Sequence, residues 1–188
     1  MGKACQGLGI VAVVLSVLVA PFQVEAQERE EFAGILASTA GGGFSGLARI
    51  RIQIEAYTTD EERQRYIDIL ASEGWQELER AFLQVEKGRF IRVGQLGHNI
   101  AFVRSTRHAT GRIIRLATAR PIFFAEASRQ SRSREHPFGL IELRLDNEGK
   151  GSGVVYAAAS LEFNDDGALE IESYGNPPFS ITEISVRD

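Results

Sequence analysis

The sequence predicts an α+β fold in which a strongly curved, mostly antiparallel β-sheet wraps around, or is covered by, one helical segment. Three observations predict it. About nine segments alternate apolar and polar residues with the period of a half-buried strand, one helical excursion lies between Thr59 and Lys87, and the connections are rich in Asn, Asp and Gly. A sheet of that many strands must cover its faces and protect its edges, so it either packs on helices or closes on itself. A closed lipocalin-like β-barrel is therefore the alternative, and an interior cavity unfilled by the helix would distinguish it.

Residues 1–26 read as an address rather than as structure. Lys3 gives a positive start, Leu8 to Ala20 is an apolar run, and Val24-Glu25-Ala26 fits a small-x-small cleavage pattern. This predicts a cleaved signal peptide, a mature chain starting near Gln27, and a periplasmic or secreted bacterial protein. The run is about five residues short of the roughly 18 needed to span a membrane, so no transmembrane segment is expected after cleavage. Cys5, the only cysteine, leaves with the signal and lies on the wrong side of the apolar run for lipid attachment. The mature chain then depends on a hydrophobic core, and cysteine-based catalysis is excluded.

The segment 27–43 is read as an N-terminal piece, a short helix over Gln27 to Ala40 followed by a glycine joint at Gly41 to Gly43. One α+β domain is expected over 44–188. Its first strand runs from Leu47 to Tyr57, with Ile50, Ile52 and Ile54 on one face. Thr59 and Glu62 have capping-box spacing, so a helix starts there and buries Tyr66, Ile69 and Leu70. Gly74 interrupts it, and Trp75, Leu78 and Phe82 form a second apolar stripe expected to dock on the sheet. Strands follow over 90–93, 99–105, 112–119, 122–127, 138–145, 152–163, 168–174 and 181–186. Turns at Asp146 to Gly151 and Asn164 to Gly167 suggest that the last four form an antiparallel meander. Ala157 and Ala159 fall on one face beside Leu161, which predicts close packing of a helix or a curved sheet there.

The formal charge is −4, a value that serves solubility and says little about partners. Apart from Lys3, only Lys87 and Lys150 are lysines; every other cationic residue is arginine, the better geometry for bidentate pairing with carboxylate or phosphate. Two basic concentrations stand out. Arg129, Arg132 and Arg134 with His136 sit between apolar strands, in a loop able to converge on an anion. Arg104 and Arg115 belong to a second group spanning 104–120, and a hairpin around Gly111 would set them across neighbouring strands. These six residues are the candidate ligand-binding set. Pairing of the arginines with Glu142, Glu162, Glu170 or Glu172 would cancel the positive face.

Catalytic motifs are absent from the sequence. His98, His108 and His136 have no metal-ligand spacing, and neither metal nor other cofactor is expected. Asp165 and Asp166 are explained by a turn. Gly94 to His98 lacks the Lys-Ser or Lys-Thr of a phosphate loop, and Ser45 has no nucleophile-elbow context. Nucleic acid is not expected either, since no aromatic stacking platform accompanies the arginines.

Thr58 to Arg63 opening a helix, Ala117 to Ile122, and Phe138 to Leu145 together resemble a family of uncharacterised exported bacterial proteins, a similarity covering most of the chain after Arg49. The resemblance implies a bacterial envelope or secreted setting and carries over no activity or site residue. The residues themselves point to an exported, non-enzymatic protein that binds a small anionic or amphipathic ligand or an envelope partner. Two alternatives come from other classes. One is a hydrolase of an envelope substrate using His136 with Glu135 or Glu142; the other is a structural assembly protein.

Overall fold

The computed structural model describes residues 29–38, 46–122, 136–174 and 178–187. In chain order the elements are β1 (Glu30–Ser38), β2 (Leu47–Ile54), α1 (Asp60–Ser72), α2 (Trp75–Leu83), β3 (Gly88–Arg92), β4 (His98–His108), β5 (Gly111–Thr118), β6 (Phe138–Leu145), β7 (Gly151–Phe163), β8 (Leu169–Tyr174) and β9 (Phe179–Arg187). All strand pairs are antiparallel and run in the order β6-β5-β4-β3-β2-β1-β9-β7-β8. A further β6–β7 ladder joins the two ends of that order, so eight strands close into a barrel and β8 hangs outside it on β7.

The barrel is the alternative architecture of the sequence reading, and the sheet does not wrap around the helices. Its lumen is packed with side chains. Phe32, Ile52, Phe90, Ile114, Leu143 and Ile181 belong to one buried cluster contributed by strands from all around the wall. Alternation supplies them: Ile50, Ile52 and Ile54 point inward while Arg49, Arg51 and Gln53 point out. Ile122, whose N–H donates to Ala157 O at 2.7 Å, joins the same cluster.

The helices lie on the outside. Tyr66 of α1 and Leu78 and Phe82 of α2 pack on Phe102, Phe138, Ala159 and Leu161, which form a second buried cluster on the outer wall. Phe82 makes edge contacts with Tyr66 and Phe138 at 5.0 and 5.7 Å between ring centroids. The cap of α1 is the one its sequence predicts: Glu62 N–H donates to Thr59 Oγ1 at 3.2 Å and Thr59 N–H to Glu62 Oε2 at 2.9 Å. The buried Lys87 Nζ then reaches both Glu62 oxygens at 2.7 Å, tying the helix start to the approach to β3. Burial acts to raise the Glu62 carboxyl, but the hydrogen bonds from Lys87 and Thr59 outweigh it and hold the group below its ordinary range. Trp75 departs from expectation and stands exposed at the first residue of α2, so only Leu78 and Phe82 of that stripe dock.

Three other expectations are corrected. Glu30–Ser38 is a strand, not a helix, with Phe32 and Leu36 buried; its pairing with β2 and β9 closes the barrel, and that tertiary demand overrides the local helical pattern. The last four strands are not a simple meander, because β9 leaves β8 and pairs with β7 and β1. Ala157 and Ala159 do not share a face: a register shift between Phe138 and Leu140 against β7 sends Ala157 into the lumen and Ala159 under the helices. The strand expected over 122–127 falls mostly outside the described residues.

One end of the lumen is sealed by polar groups. Arg112 has the inward parity of Ile114 and Leu116, and its guanidinium sits 5.8 Å over the Phe32 ring. It grips both carboxylate oxygens of Glu30, while Tyr57 Oη donates to Glu30 Oε1 at 2.8 Å. Burial first, then the Glu30 charge, pushes the Tyr57 phenol strongly up, and the hydrogen bonds to Glu30 raise the Arg112 guanidinium.

Candidate functional site

The register sets Arg104 opposite Arg115 on the outer wall, as the hairpin around Gly111 predicts. The positive face does not survive, however. Arg104 pairs with Asp60 at 2.9 Å and donates to Thr58 O at 2.9 Å, so it serves as a strut between β4 and the start of α1. Arg115 pairs with Glu142 at 3.0 Å across the β5–β6 ladder, and Arg144 takes the other Glu142 oxygen at 2.8 Å. This is the cross-strand cancellation that a sheet face striped with Arg and Glu permits.

Arg129, Arg132 and Arg134, with Glu135, lie outside the described residues. His136 precedes β6, half-buried, with Nε2 3.3 Å from Ser173 Oγ of β8 and Nδ1 buried with no hydrogen-bond partner among the described residues. The Glu142 carboxylate is six residues further along the strand, about 20 Å away for extended backbone, and is already held by two arginines. It does not form an acid-base pair with His136. Among the described residues no three His, Cys, Asp or Glu side chains gather as a metal site.

The arrangement with most chemical capacity is a cleft of about 260 Å³ that residue-by-residue reading does not assemble. It is lined by Leu83 at the end of α2, by Gly97, His98 and Asn99 entering β4, and by Thr118 to Arg120 leaving β5. Three local devices build it. Asn99 Nδ2 donates to Val85 O at 2.8 Å, which fixes the amide and pins the chain after α2 to β4. Thr118 Oγ1 donates to Arg120 O at 2.6 Å and accepts from Gly139 N–H at 3.0 Å, which holds the turn out of β5. A Cβ on Gly139 would come within 2.6 Å of that hydroxyl, so the close approach requires glycine.

These devices leave two polar groups unspent among the described residues, Asn99 Oδ1 and the Arg120 guanidinium. With Nδ2 committed to Val85, Asn99 Oδ1 is a buried acceptor with no hydrogen-bond partner among the described residues, and such a group costs free energy until something donates to it. Burial keeps the His98 imidazole below its ordinary value of 6.5, hence neutral at pH 7. Arg120 is exposed at the rim and forms no ion pair among the described residues. His98 and Arg120 were each visible as sequence; what brings them together is the β3–β4–β5 pairing, to which no short-range signal points. No family model, no curated protein and no solved structure matches this chain.

Proposed function

We propose that this protein is an exported, non-enzymatic binding domain for a small anionic ligand, held in the cleft beneath Arg120. The observation that carries the reading is the presence in one cleft of an exposed guanidinium with no ion pair among the described residues, a neutral imidazole and a buried acceptor to which no described residue donates. Arg120 supplies the charge, His98 a neutral ring nitrogen able to donate, and Asn99 Oδ1 an acceptor for a hydroxyl or amine on the ligand. A volume of about 260 Å³ is below the roughly 300–1,000 Å³ of drug-sized sites, which favours a compact molecule. The packed lumen argues against a ligand carried inside the barrel, and the paired Arg104 and Arg115 argue against the outer β4–β5 face. Export rests on the leader-like residues 1–26. The hydrolase reading is weakened by the separation of His136 from Glu142.

The test is an NMR titration of the His98 ring with inorganic phosphate. Binding next to the imidazole favours its charged form, so phosphate is expected to raise the His98 pKa, and Arg120→Gln to abolish the effect with the fold intact. If tens of millimolar phosphate moves no resonance of Gly97, His98, Asn99 or Arg120, the proposal is wrong.

A further inference from the structure

The outer wall of β9, β1 and β2 contributes no residue to the cluster under the helices, and β9 departs there from regular pairing. Ala33 of β1 faces Ser185, yet Ile35 faces Thr182, so β9 carries one residue more than β1 over that stretch. The extra residue makes a bulge opposite Gly34. Ile184 turns into the lumen, where it is buried, and Glu183 stays exposed on the outside with φ +54°. It is the one non-glycine residue in the left-handed region among the described residues. Glutamate is unfavourable in that conformation, and a glycine would form the same bulge without strain. Gly34 gives the bulge its room, since a Cβ there would come within 3.2 Å of Thr182 O.

Glu183 lines a surface cleft of about 380 Å³ together with Arg49. Ala33, Gly34 and Ile35 of β1 lie between them, and Val93 borders the same space. Register fixes the spacing. Arg49 faces Ile35 from β2 and Thr182 faces it from β9, so one strand separates the two charged residues, about 10 Å from backbone to backbone. The other two arginines of the cleft are committed, Arg51 at 3.3 Å and Arg187 at 3.9 Å from Glu31. Arg49 and Glu183 form no ion pair among the described residues, with each other or with any third group. A cation and an anion held on either side of a floor of small and aliphatic residues match a molecule that carries both charges close together. A purely anionic ligand would meet Glu183, and a purely cationic one would meet Arg49.

We propose that this cleft is a second ligand site, for a small zwitterion of the α-amino-acid type. Arg49 holds the carboxylate, Glu183 holds the ammonium, and an aliphatic side chain rests against Ile35 and Val93. The strained bulge is what sets a carboxylate at that position on the wall. The site shares no residue with the Arg120 cleft and is independent of it. To test it, the full chain, produced with its own leader and recovered as the host leaves it, is titrated by heteronuclear NMR with three probes. These are L-valine, N-acetyl-L-valine, which keeps only the negative charge, and L-valinamide, which keeps only the positive one. L-valine is expected to move the amide resonances of Ile35, Arg49 and Glu183 and to bind about tenfold more tightly than either analogue. Arg49→Gln and Glu183→Gln, both at exposed positions and matched to the parent in thermal unfolding, should each weaken L-valine about tenfold. Glu183→Gly separates the charge from the backbone: it should unfold no earlier than the parent and still lose the ligand. N-acetyl-L-valine binding as tightly as L-valine overturns the proposal, as do shifts confined to the Arg120 cleft or no shift at tens of millimolar L-valine.

Discussion

Replacing Arg112 with Met removes one half of the polar seal at the barrel mouth and leaves the other half in place. The Arg112 and Glu30 side chains are only 21 % and 19 % exposed, so Glu30 would be left with the Tyr57 hydroxyl as its remaining partner among the described residues. Hydrogen bonds to charged groups contribute about 1.5–3 kcal/mol, and the guanidinium over Phe32 adds about 0.5–1 kcal/mol. Breaking a fully buried pair costs about 3–5 kcal/mol; water reaching one-fifth of each side chain lowers this, and a loss of about 2–3 kcal/mol is expected. At this chain length that is a fall in melting temperature of about 5–10 °C. The informative comparison is the double variant Glu30→Leu/Arg112→Met, in which an apolar pair replaces an ionic one. Glu30→Leu, which strands Arg112 instead, should cost a similar amount, while the double, without a stranded charge, should lie within about 1 kcal/mol of the parent, giving a coupling of about 3 kcal/mol in a urea-unfolding cycle. A single substitution costing less than about 0.5 kcal/mol, or a double costing the sum of the two singles, would falsify the reasoning.

Three further outcomes are expected. Gly111→Ala should destabilise by about 2 kcal/mol or more, because Gly111 has φ +150° and a Cβ there would lie 2.0 Å from Leu145 O; thermal unfolding reads this, and an unchanged midpoint would contradict the β4–β5 turn geometry. Phe82→Ala should cost about 3–5 kcal/mol, since Phe82 is fully buried between α1 and the outer wall, and amide exchange should quicken in both helices before the lumen-facing strands. The third concerns acid. Because the folded His98 lies below 6.5, the unfolded chain takes up a proton first as pH falls, so the stability this group contributes is complete above 6.5 and is lost as pH drops below it. His98→Gln should flatten that part of a pH 7.5 to 5 series, and an identical slope in the variant would exclude His98 as the cause.

Much of the wall was legible because a strand buried on one side writes its own period. Ile50, Ile52 and Ile54 announce β2, and Phe138 to Leu145 is found with the boundaries the structure assigns. The cap at Thr59 was equally plain, its two hydrogen bonds being local. Closure was not, because it depends on which strands meet. Glu30–Ser38 has a composition a helix would tolerate, and only the unsatisfied edges of β2 and β9 make it a strand. The ion pairing of Arg104 and Arg115 is hidden for a related reason. Arg104 and Arg115 were read correctly as neighbours, but the Asp60 that neutralises Arg104 comes from the helix start, and sequence offers no sign of that approach. Asn99 carries no signal in the sequence, since its importance lies in Val85 O taking one end of the amide and no described residue taking the other.

The pairing of β1 with β9 bears on how the chain acquires its shape. Phe32 meets Val186, about 150 residues later in sequence, so the wall has a gap until β9 is delivered. Contacts of such separation are slow to form, because a long loop must be closed before they stabilise anything. A chain emerging N-terminus first from any narrow channel would hold β1 to β7 in place with one strand's width missing. The barrel would then shut in a single late event once β9 arrived. Passage through the channel and completion of the core are thereby kept apart in time, and a truncation of only the final ten residues should leave the lumen open to water.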